Sequence, residues 1–201
     1  MLTRNQISSL VIDTLSEKAS GQNAAVLSLY CDYHAQKDQS AVNMIGSLLR
    51  QITLGAVGIV GQIKDAFVKS RQGGGKPLQL LEMLKLLVST ISSLERVYIC
   101  VDGIDELLPQ HRSVFLRALQ QIIQEAPNTR LFLTGRPHIR VELDKHLTKG
   151  AYSIHIVPDQ GDIARYLSQK IDDDDDQDPD LMTESLRNDI LKIMLEKASE
   201  M

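Results

Sequence analysis

The chain has 201 residues, of which 43 % are apolar and 24 % charged, enough for one ordinary globular domain with a buried core. Aromatic residues make up only 4 %, with no Trp, which argues against base stacking as a binding mode. Net charge is −4, but seven Asp crowd residues 172 to 180 and the remainder is close to neutral, so no nucleic-acid partner is expected.

Residues 5 to 18 read as a helix with Ile7, Leu10, Val11 and Leu15 on one face. "GQN" breaks it, and "AVLSLYCDY" (25 to 33) has the β-branched and aromatic character of a strand. Ser40 suits the N-cap of a helix carrying Val42, Ile45, Leu48, Leu49 and Ile52. Residues 54 to 76 are less regular and end in "RQGGGKP". Pro77 suits a first helical position, and Leu78, Leu81, Leu84, Leu87, Val88 and Ile91 continue as an amphipathic helix to about Leu94.

"VYICV" (97 to 101) is a short apolar run, as in a strand covered on both faces. A helix over 111 to 125, a strand "RLFLT" (130 to 134) and a short helix over 138 to 147 follow. "YSIHIV" (152 to 157) reads as a last strand, and 162 to 171 as a helix. The Asp run lacks the spaced ligands and central Gly of a calcium loop, so it reads as an acidic linker over 172 to 180. Residues 181 to 199 close the chain as a helix. Alternating strands and helices predict an α/β fold around a parallel sheet.

The two cysteines, Cys31 and Cys100, lie in apolar strand-like runs and read as buried, reduced thiols, which fits a cytoplasmic setting. No signal peptide is read at the start. The apolar run "LGAVGIVG" is too short and too rich in Gly to span a membrane, so no membrane partner is expected.

The chemistry concentrates in "RVYICVDGIDEL" (96 to 107). A strand ending in Asp places that carboxylate at the C-terminal edge of the sheet, where α/β folds bind ligands. Asp102 there is a candidate metal ligand, directly or through water. Gly103 leaves space beside it. Asp105 and Glu106 are candidate bases for an attacking water, and their adjacency leaves the choice between them open. A second strand end, "LFLTGRPHI" (131 to 139), supplies Thr134 and Arg136 as candidate sensors of a terminal phosphate.

Together with "SSLVIDTL" (8 to 15), "LYCDYHAQKDQSAVNMIGSLLRQI" (29 to 52) and "FLRALQQI" (115 to 122), these stretches resemble the NACHT class of P-loop NTPases, within the signal-transducing STAND group. The resemblance is to the fungal set whose domain is nephrocystin-like at its N-terminus, and it covers nearly the whole chain. It implies a three-layer fold with helices on both faces of a parallel sheet ordered 5-1-4-3-2. In that order residues 25 to 33 are strand 2, 97 to 101 strand 3, 130 to 134 strand 4 and 152 to 157 strand 5. It further implies Mg²⁺ with ATP or GTP, and a switch between closed and open, oligomerising states. Many members are thought to act in recognition of foreign partners and in cell death.

A phosphate loop needs G-x-x-x-x-G-K-S/T, whose backbone N–H groups and Lys cradle the phosphates. The 201 residues contain no such run. "SRQGGGKP" (70 to 77) has Ser in the first position and Pro after the Lys, and reads as a surface loop. In the family register Arg4 and Asn5 fall on the loop's Lys and Ser/Thr, with no glycine nest before them and no hydroxyl at Asn5. On this register strand 1 and most of the loop are missing. The expectation is a truncated NACHT domain over 1 to 171, with the linker at 172 to 180 and a helical segment at 181 to 201 leading to an absent module. It is expected to hydrolyse little nucleotide. The alternative is a non-enzymatic module that pairs with itself or with full-length NACHT proteins.

Overall fold

The computed structural model describes residues 4–55, 78–147, 150–156, 160–175 and 183–198. The chain divides into two compact units, Arg4–Ala151 and Tyr152–Met201. In the first, three strands form one parallel sheet: β1 (Ala24–Tyr30), β2 (Arg96–Asp102) and β3 (Thr129–Leu133), in the order β1-β2-β3. β2 lies in the middle, with Val97 opposite both Ala25 and Thr129 and with Tyr30 opposite Asp102. This is the 4-3-2 portion of the order that the resemblance implies.

Successive side chains of a strand point to opposite faces. The odd-numbered face of β2 (Val97, Ile99, Val101) joins Leu27 and Leu29 in the main apolar core, under α2 (Ala41–Gly55), α3 (Leu80–Ser92) and α4 (Pro109–Glu125). The even-numbered face ends in Asp102 and meets α1 (Arg4–Ala19) through a hydrogen bond from Ser8. Helices therefore cover both faces. The inward residues of α1 include Ser8, Val11, Ile12 and Leu15, and Leu10, expected on that face, is exposed. The helix is rotated so that a hydroxyl, not a leucine, meets the end of β2.

Local chemistry explains the boundaries. β1 stops short of the expected residue 33 because Asp32 caps the 3-10 turn η1 (Tyr33–Ala35), accepting from His34 N. Ser40 Oγ accepts from Asn43 N at 3.3 Å at the start of α2. α3 begins at Leu80 through a capping box between Gln79 and Glu82. Pro77 and the "GGGK" run lie outside the described residues. Pro109 opens α4. β3 leads through η3 (Pro137–Ile139) into α5 (Arg140–Leu147).

The expected strand at 152 to 157 does not form. Residues 151 to 156 carry no strand or helix, Tyr152, Ile154 and Ile156 are exposed, and residue 157 lies outside the described residues. Alternating apolar residues make a strand only where a neighbour supplies the ladder, and among the described residues none is paired with this segment. The second unit consists of α6 (Gln160–Asp175) and α7 (Glu184–Ala198), joined by an ion pair between Arg187 Nη2 and Asp172 Oδ1 at 2.7 Å. α6 runs on through the first four residues of the Asp run, which were expected to be linker, and 176 to 182 lie outside the described residues.

Candidate functional site

Asp102 is the last residue of β2 and is only 3 % exposed. A carboxylate so placed needs hydrogen-bond donors. Two hydroxyls among the described residues donate to it, both to Oδ1: Ser8 Oγ at 2.6 Å from α1 and Thr134 Oγ1 at 2.5 Å from the end of β3. The Asp102 carbonyl accepts from Cys31 N at 2.9 Å, which ties in the end of β1. The ends of all three strands and the helix α1 thus meet at one residue, Asp102.

Gly103 then turns the chain in the left-handed conformation, at φ 70° and ψ 38°, which a side chain would resist. Its N–H donates to Thr134 Oγ1 at 2.9 Å, and Ile104 N donates to Thr134 O at 3.0 Å. Thr134 therefore grips both Asp102 and the turn that follows. That turn, η2 (Ile104–Glu106), carries both candidate bases, and their surroundings differ. The Asp105 side chain is 2 % exposed and faces Arg136, with Oδ2 3.6 Å from Nε, whereas Arg136 is 70 % exposed. Glu106 turns the other way: its Oε2 accepts from Tyr33 N at 3.2 Å, and its carbonyl accepts from Gln36 Nε2 at 2.7 Å. Gly135 packs closely beneath η2. A Cβ there would lie 2.8 Å from Ile139 Cδ1 and 3.3 Å from Ile104 Cγ2.

Five of the expected site residues are thus gathered at one edge: Asp102, Asp105, Glu106, Thr134 and Arg136. Arg4 and Asn5 form the start of α1, one turn before Ser8. Ser8 and Arg112 were not foreseen. Ser8 carried a weak signal, a small polar residue next to an apolar helical face. Arg112 carried none, because a lone Arg on a helix reads as solvated.

The resemblance implies Mg²⁺ carried by a nucleotide. Among the described residues no three His, Cys, Asp or Glu side chains gather to hold a metal. Nucleotide-borne Mg²⁺ needs less, commonly one or two carboxylates with phosphates and water completing the shell. Asp102, flanked by two hydroxyls, fits that lesser demand.

Fold and site together define an α/β domain that gathers acidic and hydroxyl side chains at the carboxyl edge of a parallel sheet. A family profile described as nephrocystin 3, N-terminal, matches residues 5–136, well over half of the chain, and the chain belongs to that family. The matched span runs from α1 to Arg136 and so contains every residue of the gathered edge. A search of curated proteins returns no match. Among solved structures, the Orc1 protein of Aeropyrum pernix in complex with DNA is similar at 17 % identity and TM-score 0.48, over 84 % of this chain and 40 % of that one. A Walker-type ATPase of Pyrococcus abyssi is similar at 13 % identity and TM-score 0.42, over 96 % of this chain and 62 % of that one. The chain spans less than two thirds of either. Among the described residues no helix is long and apolar enough to cross a membrane.

Proposed function

We propose that this domain is the nucleotide-binding core of a NACHT-type switch in the STAND class of P-loop NTPases, with ATP or GTP and Mg²⁺ as ligands. One observation carries the reading: Asp102 and Asp105 on one strand end meet Thr134 and Arg136 on the next. In this reading Asp102 holds Mg²⁺, which offsets phosphate charge when bound. Arg136, exposed and already facing a carboxylate, meets the terminal phosphate. Asp105 serves as the base, because Glu106 is committed to the Tyr33 backbone.

The 201-residue polypeptide contains no G-x-x-x-x-G-K-S/T run, so we expect little or no hydrolysis from it. Mg²⁺-dependent binding of a fluorescent ATP or GTP analogue, followed by a phosphate-release assay, tests both points. Weak binding that disappears in Asp102→Asn supports the reading. Robust turnover that Asp102→Asn abolishes would sink the expectation of inactivity.

A second reading, a protein-interaction module that pairs with itself, draws on a separate observation. Among the described residues no strand lies on the outer edge of β3, and Tyr152, Ile154 and Ile156 are exposed. Open edges and exposed alternating apolar residues favour strand addition. Size-exclusion chromatography with light scattering decides it, and a nucleotide-independent monomer at high concentration counts against it.

A further inference from the structure

The turn η2 carries both candidate bases, and its backbone is held by Glu106 N to Gly103 O at 2.8 Å and Ile104 N to Thr134 O at 3.0 Å. Arg112, on the first turns of α4, lies beneath it with a side chain only 10 % exposed. Its Nη1 donates to the Asp105 carbonyl at 3.2 Å and to the Leu107 carbonyl at 3.1 Å. Its Nε donates to Glu142 Oε2 on α5 at 2.7 Å. One guanidinium thus bridges both sides of the acidic turn and a helix from a different part of the chain. A buried cation needs a carboxylate partner, and Glu142 supplies it. The planar fork makes the arrangement specific to Arg, since a Lys ammonium is a single point at the end of a flexible stem.

We infer that Arg112 is the positioning residue of the acidic turn and that Glu142 orients it. Arg112 touches no reacting atom in this role. It sets where Asp105 and Glu106 stand by holding the carbonyls on either side of Glu106. Glu142 lies six residues after Arg136, on the helix that directly follows η3. The segment bearing Arg136 and the turn bearing Asp105 are therefore tied twice, once by Arg136 to Asp105 and once by Glu142 through Arg112. A displacement of the Arg136 segment, as by an anion arriving there, is passed to the acidic turn through both ties. The role in nucleotide binding rests on the reading proposed above; the clamp itself does not.

Amide hydrogen exchange tests the clamp without any ligand. In Arg112→Met the amides of Glu106 and Leu107 are expected to exchange about tenfold faster or more, while those of residues 97 to 101 in β2 change much less. Arg112→Lys is expected to behave like Arg112→Met. Glu142→Ala is expected to loosen the same amides to a smaller degree, and the double variant to be no worse than Arg112→Met alone, because both act through one contact. Acceleration spread evenly over β2 and the turn, wild-type exchange in Arg112→Lys, or additive effects in the double variant would each overturn the proposal. If Arg112→Met does not fold, Glu142→Ala and Arg112→Lys carry the same test. In parallel, a Mg²⁺-bound fluorescent ATP analogue is expected to bind Arg112→Lys more weakly than wild type at equal global stability, and equal affinity would overturn the link to the site. If the wild type binds none, the nucleotide reading fails and exchange alone decides the clamp.

Discussion

The two edges of the sheet are finished in different ways. At the β1 edge a single side chain stands in for a strand: Gln51 on α2 accepts from Ser28 N and donates to Ser28 O, each at 2.8 Å. At the β3 edge Arg130 Nη1 donates to the Thr129 carbonyl at 2.9 Å, and among the described residues no side chain does the same for Leu131 or Leu133. The backbone groups of residues 128 and 134 bond toward β2, so those of Leu131 and Leu133 face outward, and no described strand takes them. Both outer strands, β1 and β3, are mostly half-buried, whereas the central β2 is mostly buried. One well-placed amide thus covers Ser28 at the first edge, whereas Leu131 and Leu133 stay available for pairing at the second.

The strongest test of this contrast is Gln51→Leu, which removes both bonds and leaves the Ser28 N–H and C=O without partners. We expect a loss of about 2–3 kcal/mol in urea unfolding, together with a new tendency to associate. No loss would mean that the β1 edge is closed by helix packing rather than by Gln51. Next is Ser8→Ala at the centre, between the edges. Removing one of two hydroxyl donors to the Asp102 carboxylate is expected to cost about 1.5–2 kcal/mol. A double-mutant cycle with Thr134→Val reads the coupling of α1 to β3 through that one oxygen.

Gly135→Ala probes the turn that follows the open edge. The added methyl meets the flexible tip of Ile139, so the expected cost is about 1 kcal/mol. Retained stability with faster exchange at Ile104 would instead place the disturbance in η2.

The smallest effect concerns Cys100, in the middle of β2. Burial pushes its thiol from 9.0 up to about 11, because the low-dielectric interior disfavours the thiolate. The unfolded thiol ionises first, so this contribution is fully present below pH 9 and is lost as pH rises from 9 toward 11. Cys100→Ala is expected to lose less stability than wild type across that window. In the folded protein at pH 8, Cys100 is expected to resist a thiol reagent until the chain unfolds.

Most of the frame is legible in the sequence, because short apolar runs and 3.6-residue periodicity report burial directly. β2, α4 and the residues of its acidic end are read at nearly their observed positions. Several of the errors share one source: a pattern that needs a distant partner. "YSIHIV" alternates as a strand should, yet no described neighbour gives it a ladder. Ser8 and Leu10 lie on nearly opposite faces of α1, and it is Ser8 that turns inward, donating to Asp102, 94 residues away. Asp105 and Glu106 are equivalent as letters, and their different contacts, with Arg136 and with Tyr33, distinguish them.

By itself the sequence determined the family, the parallel α/β plan and the collection of Asp102, Asp105, Thr134 and Arg136 at strand ends, because these follow from local pattern and strand direction. Tertiary structure alone decided that Ser8 and Thr134 share one carboxylate oxygen, that Arg112 links the acidic turn to Glu142, and that Gln51 bonds the outward-facing Ser28. Each of these joins residues at least 23 positions apart in the chain. Such a bond is specified by where two backbones meet, which no single stretch of sequence records.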